Sequence, residues 1–398
     1  MRRRWNRIFA VLLACCLALP PLQGMARAED GSAVVRIATG VSGKPWTEVA
    51  VKWDDAWFLS DAAVYQHELA VTAMALSAAA YVRTVQSAGA QDALEAFGFE
   101  EIKPYNYQLS AQSAGRTAYT FAVKTVQDQN GKSVRLAAIV VRGTGEYTEW
   151  AGNLNVGTGS EHEGFAQARD ELLENLERYL KETEAAGKTK FLVTGHSRGG
   201  AAANLLAARL VDAGMAEKND VYAYTFAAPA VSTEAKTEGY ENIFNIVNAD
   251  DLVPQVPLSQ WGYRRYGVDR VLPARDGGGE DWDSRFAAMN RQYTALTGQS
   301  YVVYHDAAAV EKLTGALYQL APTVSGRNMA MLSALIQGDL EGLSAMIEGD
   351  PLSALRMGRT AIRISSELTP LLQRESKGLA AAHCMAGYYS WLAACPEA

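Results

Sequence analysis

The sequence predicts an α/β fold in which a mainly parallel β-sheet is covered by helices on both faces. Short apolar segments that resemble buried strands alternate with longer segments whose apolar residues recur at helical spacing. The pattern predicts helices over 165–184 and 199–212, and strands over 191–194, 221–226 and 243–247. Apolar strands separated by helices are typical of a parallel sheet with both faces buried.

The region before this alternation is predicted to begin with a strand over 34–39 and an alanine-rich helix over 65–82. Two further segments, 118–127 and 134–141, alternate apolar and polar residues and flank the turn residues Gln129-Asn130-Gly131. Such a turn between two alternating segments predicts a β-hairpin.

The first 28 residues have the pattern of a cleaved secretory signal peptide. Arginines near the start precede an apolar run over 8–20 and the small-x-small site Ala26-Arg27-Ala28. The apolar run is shorter than the roughly 20 residues that span a bilayer. We therefore expect a secreted, periplasmic or otherwise extracytoplasmic protein. Residues 29–398 are expected to form a single domain, with a helical insertion or cap at about 306–376.

Composition excludes several classes of partner and cofactor. The formal net charge of −7 argues against binding nucleic acid by charge, and the 48% apolar content argues against disorder. Two cysteines, Cys384 and Cys395, follow the signal peptide, and an oxidising compartment predicts a disulfide between them. No metal-binding motif is found, and no cofactor is expected. The acidic segment 276–283 lacks the ligand spacing of an EF-hand, which favours a solvated loop over a Ca²⁺ site.

The strongest chemical signal is Gly195-His196-Ser197-Arg198-Gly199, which follows a predicted strand and opens a predicted helix. Gly-x-Ser-x-Gly in that setting predicts a nucleophile elbow and, with it, the α/β-hydrolase fold. Side chains at Gly195 or Gly199 would clash in the tight turn that exposes the serine hydroxyl. The helix N-terminus beneath Ser197 favours developing negative charge.

A serine nucleophile needs a general base and an acid that orients the base. In this fold both follow the serine along the chain, in the order acid and then histidine. Asp250 and Asp251 leave the predicted strand over 243–247, and His305 and His383 lie further downstream. The residue pattern alone leaves both pairs of alternatives open.

Several blocks, in the same chain order, resemble the class 3 lipase family. The elbow is similar to that family's G-H-S-L-G-G, with Arg198 where leucine is usual. The other blocks are Val141-Arg142-Gly143-Thr144, Glu149-Trp150 with Asn153-Leu154, His162-Glu163-Gly164-Phe165, Thr225-Phe226-Ala227-Ala228-Pro229, Asn248 to Pro257, and Gly262-Tyr263 with Gly267. The ordered set is far more specific than any one motif.

The resemblance implies a role for each candidate residue. Asp251 corresponds to the catalytic acid, and His383 with Tyr388 fits an H-S-x-x-x-Y stretch in which Cys384 replaces serine. His305 and Asp250 remain the alternative base and acid. The resemblance also implies an oxyanion hole formed by the backbone N–H of Arg198 and by Thr144. The long interval between Asp251 and His383 requires the predicted helical region at about 306–376 to be an insertion outside the core of the fold.

The expected function is a secreted serine esterase or lipase that cleaves carboxylic esters of lipids, either acylglycerols or phospholipids, through an acyl-enzyme. A lipid or other ester is the expected substrate, with transient contact to lipid surfaces. One alternative is a short-chain or carbohydrate-ester esterase that uses the same triad. Another is a catalytically inactive binding or envelope protein on a hydrolase scaffold.

Overall fold

The computed structural model describes residues 31–83, 88–108, 116–128, 130–144, 156–183, 188–257, 259–274, 281–303, 378 and 380–396. The predicted signal peptide, His305 and the helical insertion at about 306–376 lie outside these residues. Most of the acidic segment 276–283 lies outside them as well. These four expectations therefore stay predictions.

A seven-stranded sheet, in the order β3-β4-β5-β6-β7-β8-β9, forms the centre of the described structure. Its first three strands are antiparallel, and β5 through β9 are parallel. A separate antiparallel pair, β1-β2, packs against helices of the same structure. The bounds are β1 (Ser32–Val41), β2 (Lys44–Lys52), β3 (Glu100–Tyr105), β4 (Tyr119–Gln127), β5 (Ser133–Val141), β6 (Thr189–His196), β7 (Val221–Phe226), β8 (Ile243–Val247) and β9 (Val268–Val271).

Six α-helices accompany the strands in the described residues: α1 (His67–Ala79), α2 (Gly89–Ala96), α3 (Glu163–Glu182), α4 (Arg198–Asp212), α5 (Trp282–Thr297) and α6 (Met385–Ala394). Short 3-10 turns occur at Asp55–Leu59, Lys218–Asp220, Val253–Gln255 and Ser259–Trp261. None of these helices is long and apolar enough to cross a membrane.

Both faces of the sheet are buried, and β5 shows why. Leu136, Ala138 and Val140 point into a core shared with α1, α5 and α6. The intervening Ile139 and Val141 point into a second core shared with α3 and α4. Successive side chains of a strand point to opposite faces, so a strand between two helical layers must be apolar throughout. The predicted α/β-hydrolase fold, a mainly parallel sheet covered by helices, is confirmed.

The segment before α6 lies at the carboxyl edge of the parallel strands, where His383 contacts Ser197. Helix α6 packs against α1 and α5, and Trp391 is almost fully buried there. The imidazole Nε2 of His67, at the start of α1, lies 2.9 Å from the carbonyl oxygen of Leu392. His383 is two residues before α6, so this packing carries it to the sheet edge where β6 ends.

The predicted disulfide is wrong, because Cys384 and Cys395 are both free and buried. They are the residues that flank α6 at its N- and C-terminal ends. Eleven residues along a helix span about 16 Å. A disulfide requires Cα atoms within about 7 Å, so the helix keeps the two thiols apart. Cys384 instead caps α6, where its sulfur accepts the backbone N–H of Gly387 at 3.3 Å.

The two free thiols predict a specific alkylation pattern. Burial raises the pKa of the Cys384 thiol to about 11, so little thiolate is present at pH 8 and iodoacetamide should leave Cys384 unmodified in the folded protein. After unfolding without reductant, peptide mass spectrometry should find both Cys384 and Cys395 alkylated. A pair that reacts only once a reductant is added would contradict this assignment.

Candidate active site

Ser197 is the turn residue between β6 and α4, and its backbone is strained. Its φ of 58° and ψ of −131° lie outside the conformations that non-glycine residues normally adopt. Its backbone N–H donates to the carbonyl of Phe226, at the end of neighbouring β7, at 2.9 Å. This sharp turn leaves the Ser197 side chain half-buried at the carboxyl edge of the sheet.

The two elbow glycines are required by close backbone contacts. A Cβ at Gly195 would lie 2.5 Å from the carbonyl oxygen of Gly199. A Cβ at Gly199 would overlap the backbone of Val141 and Arg142 on β5. Because these neighbours are backbone atoms, they cannot rotate away. The local sequence therefore determines how closely α4 can approach the sheet beneath Ser197.

The structure brings Ser197, His383 and Asp251 into one hydrogen-bonded chain. His383 Nε2 lies 3.1 Å from Ser197 Oγ, and His383 Nδ1 lies 2.8 Å from Asp251 Oδ2. The Asp251 carboxylate only accepts hydrogen bonds, so Nδ1 carries the proton. Nε2 is then free to accept the proton of the Ser197 hydroxyl.

Asp251 is held by three donors in a closed environment. Its side chain is 1% exposed, whereas that of His383 is 29% exposed. The backbone N–H of Val253 donates to Oδ1 at 2.9 Å, and the Tyr388 hydroxyl donates to Oδ2 at 2.9 Å. Burial and the neighbouring Asp251 raise the pKa of Tyr388 well above 10, so this hydroxyl stays protonated.

Asp251 lies in the turn after β8, close to the alternative acid Asp250. The Asp250 backbone N–H donates to the Asn248 side chain, and the carboxylate that contacts His383 is that of Asp251. Asn248 also reaches the segment before α6, because its amide Nδ2 lies 3.1 Å from the carbonyl oxygen of Ala382. The acid turn and the histidine segment are thus tied together directly.

The two residues implied for an oxyanion hole lie on adjacent elements. Thr144 follows β5, whose last residue Val141 pairs with Gly195 of β6. Arg198 is the first residue of α4, so its backbone N–H lies at a helix N-terminus. The Arg198 side chain is buried, and its guanidinium donates to the carbonyl of Gly164 at 3.3 Å.

Two contributors to this site were not identified from sequence. Tyr81 follows α1, and its hydroxyl lies 3.1 Å from His196 Nδ1. Asn248 was named only as the first residue of a family block, with no role. The position of Asn248 in that block could have indicated that it contributes to the site. Tyr81 has no local signal, because only packing of α1 against the sheet brings it to the elbow.

No group of three or more His, Cys, Asp or Glu side chains that could hold a metal ion occurs among the described residues. Two acidic residues of segment 276–283 are described: Asp281 precedes α5, and Asp283 lies in the first turn of α5, where its negative charge interacts favourably with the helix dipole.

Comparison with known proteins identifies the region around the elbow. Residues 138–261 match the model of the family Lipase (class 3). A secreted mono- and diacylglycerol lipase of Fusarium solani is 31% identical over 160 residues, which cover 36% of this chain and 45% of that protein. The toxin TseL of Vibrio cholerae is 38% identical over 98 residues, which cover 24% of this chain and 14% of that protein. This chain thus spans less than half the length of either relative.

Two solved structures are similar to part of this chain. Lipase II from Rhizopus niveus covers 52% of this chain and 81% of its own, with a TM-score of 0.39 and 19% identity. The triacylglyceride lipase of Rhizomucor miehei covers 54% and 83%, with a TM-score of 0.37 and 22% identity. The family match covers the residues that form β6, the elbow and the acid turn. The similarity to the class 3 lipase family is thus located in residues 138–261.

Proposed function

We propose that this protein is a secreted serine hydrolase that cleaves carboxylic esters of lipids. The observation that carries the proposal is the hydrogen-bonded chain from Ser197 Oγ through His383 to Asp251, at 3.1 and 2.8 Å. Hydrogen-bond reach between nucleophile, base and orienting acid is the geometric signature of such a catalyst. The strained elbow supports the same assignment, since it presents the hydroxyl at the sheet edge.

In the proposed first step, Ser197 Oγ attacks the ester carbonyl carbon while His383 Nε2 accepts the hydroxyl proton. The carbonyl π electrons move to oxygen, and the backbone N–H of Arg198 and the N–H or hydroxyl of Thr144 stabilise this oxyanion. Loss of one such donor typically costs about 3 kcal/mol of transition-state stabilisation. Asp251 keeps His383 in the required tautomer and stabilises the imidazolium.

The second half of the cycle reverses the proton transfers. The tetrahedral intermediate collapses, the C–O bond of the ester breaks, and the leaving alcohol takes the proton from His383. Water then attacks the acyl-enzyme carbonyl as His383 accepts one of its protons, and the carboxylic acid leaves as that proton returns to Ser197. The cycle consumes one ester and one water and needs no redox partner or cofactor.

A lipid ester is the proposed substrate class because the matched family and the Fusarium relative are lipases. Secretion is proposed from the N-terminal sequence pattern, in agreement with the description of that relative as secreted. Acylglycerols are favoured over phospholipids by the same relative, and transient contact with a lipid surface follows from an insoluble substrate.

Chain-length preference tests the substrate class. Purified protein should hydrolyse p-nitrophenyl esters from acetate to palmitate with a maximum at long acyl chains, and Ser197→Ala should remove this activity. The rates at which free fatty acid is released from mono-, di- and triacylglycerol and from phosphatidylcholine then show which head group the protein prefers.

A maximum at acetate or butyrate would contradict the lipid substrate and favour a short-chain or carbohydrate-ester esterase on the same residues. No hydrolysis of any ester, together with no labelling by a fluorophosphonate probe, would favour the inactive scaffold.

A further inference from the structure

His196 lies beside the proposed triad but has no place in its proton path. It is the last residue of β6, immediately before Ser197, and is 1% exposed. Its imidazole Nε2 lies 3.0 Å from the carbonyl oxygen of His383. Its Nδ1 lies 3.1 Å from the Tyr81 hydroxyl. His196 therefore links α1 to the main chain of the proposed base.

These two contacts select one protonation state of His196. A carbonyl oxygen only accepts hydrogen bonds, so Nε2 must carry a proton that it donates to His383. Nδ1 then holds a lone pair and accepts from the Tyr81 hydroxyl. Burial, together with the nearby His383, lowers the pKa of His196 well below 6.5. The ring is thus neutral at neutral pH, and both nitrogens are satisfied.

The accepting carbonyl is at the end of a helical turn. Residues 380–383 are helical, and Cys384 separates them from α6 as its N-cap. The last carbonyl groups of a helix have no partner within that helix and need donors from elsewhere. His196 supplies one at the residue whose side chain faces Ser197. It therefore fixes the backbone from which the His383 imidazole extends.

The opposite side of His196 is also closely packed. A Cβ at Gly143 would overlap the Tyr81 hydroxyl and would lie 2.5 Å from the carbonyl oxygen of His196. The imidazole rings of His196 and His383 have centroids 4.9 Å apart. His196 is thus held between Tyr81 on one side and His383 on the other.

We propose that His196 is a positioning residue whose Nε2–H holds the His383 main chain, so that the His383 imidazole stays aligned between Asp251 and Ser197. The Tyr81 hydroxyl can donate to Nδ1 of the same tautomer. The proposal rests on the proposed function, because it concerns alignment of the general base in ester hydrolysis.

Two substitutions at His196 separate the hydrogen bond from simple packing. His196→Leu fills a similar volume without a donor, and we expect kcat on a p-nitrophenyl ester to fall about 10- to 100-fold. KM should stay nearly unchanged, because the substrate-binding surface is not altered. His196→Gln offers an amide N–H near the position of Nε2 and should restore most of kcat. Tyr81→Phe should lower kcat less than His196→Leu, since the required tautomer remains accessible.

His67 provides a matched control. Its Nε2 also contacts a backbone carbonyl of the C-terminal segment, that of Leu392 at 2.9 Å, but at the far end of α6. His67→Leu should lower the thermal midpoint without lowering kcat. In proton NMR spectra, the low-field signal of the His383 Nδ1–H bonded to Asp251 should persist in His67→Leu and broaden or disappear in His196→Leu.

The outcomes distinguish this inference from the proposed function. If the wild-type protein is active and Ser197→Ala is not, an unchanged kcat in His196→Leu overturns the positioning role. Equal losses in the Leu and Gln variants also overturn it, because the hydrogen bond would not be the cause. If the wild-type protein neither hydrolyses esters nor reacts with a fluorophosphonate, the proposed function fails. An unchanged low-field signal in His196→Leu would then overturn the alignment role independently.

Discussion

Ser197→Ala is expected to lower kcat for ester hydrolysis by roughly 10⁶-fold, since loss of the nucleophile removes the acyl-enzyme route altogether. The Ser197 Oγ that lies 3.1 Å from His383 Nε2 is the only atom lost. Initial rates on a p-nitrophenyl ester and labelling by a fluorophosphonate probe measure the effect. Both should vanish to background, while far-UV circular dichroism should stay unchanged.

Ser259→Ala is a suitable control for this experiment. Ser259 is an exposed serine in a short 3-10 turn, and its hydroxyl contacts the neighbouring Gln260 side chain. This variant should retain wild-type rates and labelling. Substantial hydrolysis that survives in Ser197→Ala, with labelling at another residue, would show that a different nucleophile carries the activity.

Asp251→Asn is expected to lower kcat by about 10⁴-fold, although it leaves the shape of the site almost unchanged. The amide that replaces the carboxylate can present an N–H to His383 Nδ1, which favours the tautomer with the proton on Nε2. In that tautomer His383 cannot accept the Ser197 proton. Steady-state kinetics on the p-nitrophenyl ester series measures the loss, which should fall on kcat more than on KM.

Two variants of neighbouring residues provide comparisons for the loss of activity in Asp251→Asn. Asp250→Asn changes an adjacent carboxylate outside the His383 contact and should retain most of the activity. Tyr388→Phe removes one 2.9 Å hydrogen bond from Asp251 but keeps the carboxylate, so its effect should lie between the two. A larger loss in Asp250→Asn than in Asp251→Asn would assign the acid to Asp250 and contradict the proposed triad.

Much of the fold could be predicted because its strands and helices have strong local periodicity. The predicted strands at 221–226 and 243–247 coincide with β7 and β8, and the predicted helix over 199–212 differs from α4 by one residue. Both faces of these strands are buried, so their apolar runs are unambiguous. Helix α5 was not predicted from the sequence, since only four of its sixteen residues are buried: Met289, Tyr293, Leu296 and Thr297. A narrow buried stripe leaves a weak signal in the sequence.

The prediction for the two cysteines failed for a different reason. Compartment and count predicted a disulfide between Cys384 and Cys395, but a helix between them sets a separation that no disulfide can span. Cysteine number carries no information about distance. The helical character of the intervening residues was the missing constraint.

By itself, the sequence determined the elbow, because the strain at Ser197 and the contacts at Gly195 and Gly199 are local backbone effects. It also narrowed the acid to two adjacent residues, because both follow a strand whose end must meet the sheet edge. Only the tertiary structure decided that Asp251 rather than Asp250 contacts His383, and that His196 and Tyr81 hold His383 from the other side. His383 is 132 residues from Asp251 and 186 from Ser197. Contacts between residues so far apart in sequence depend on how α1 and α6 pack against the sheet. This packing is stabilised by the burial of many apolar residues together, so no local sequence pattern specifies it.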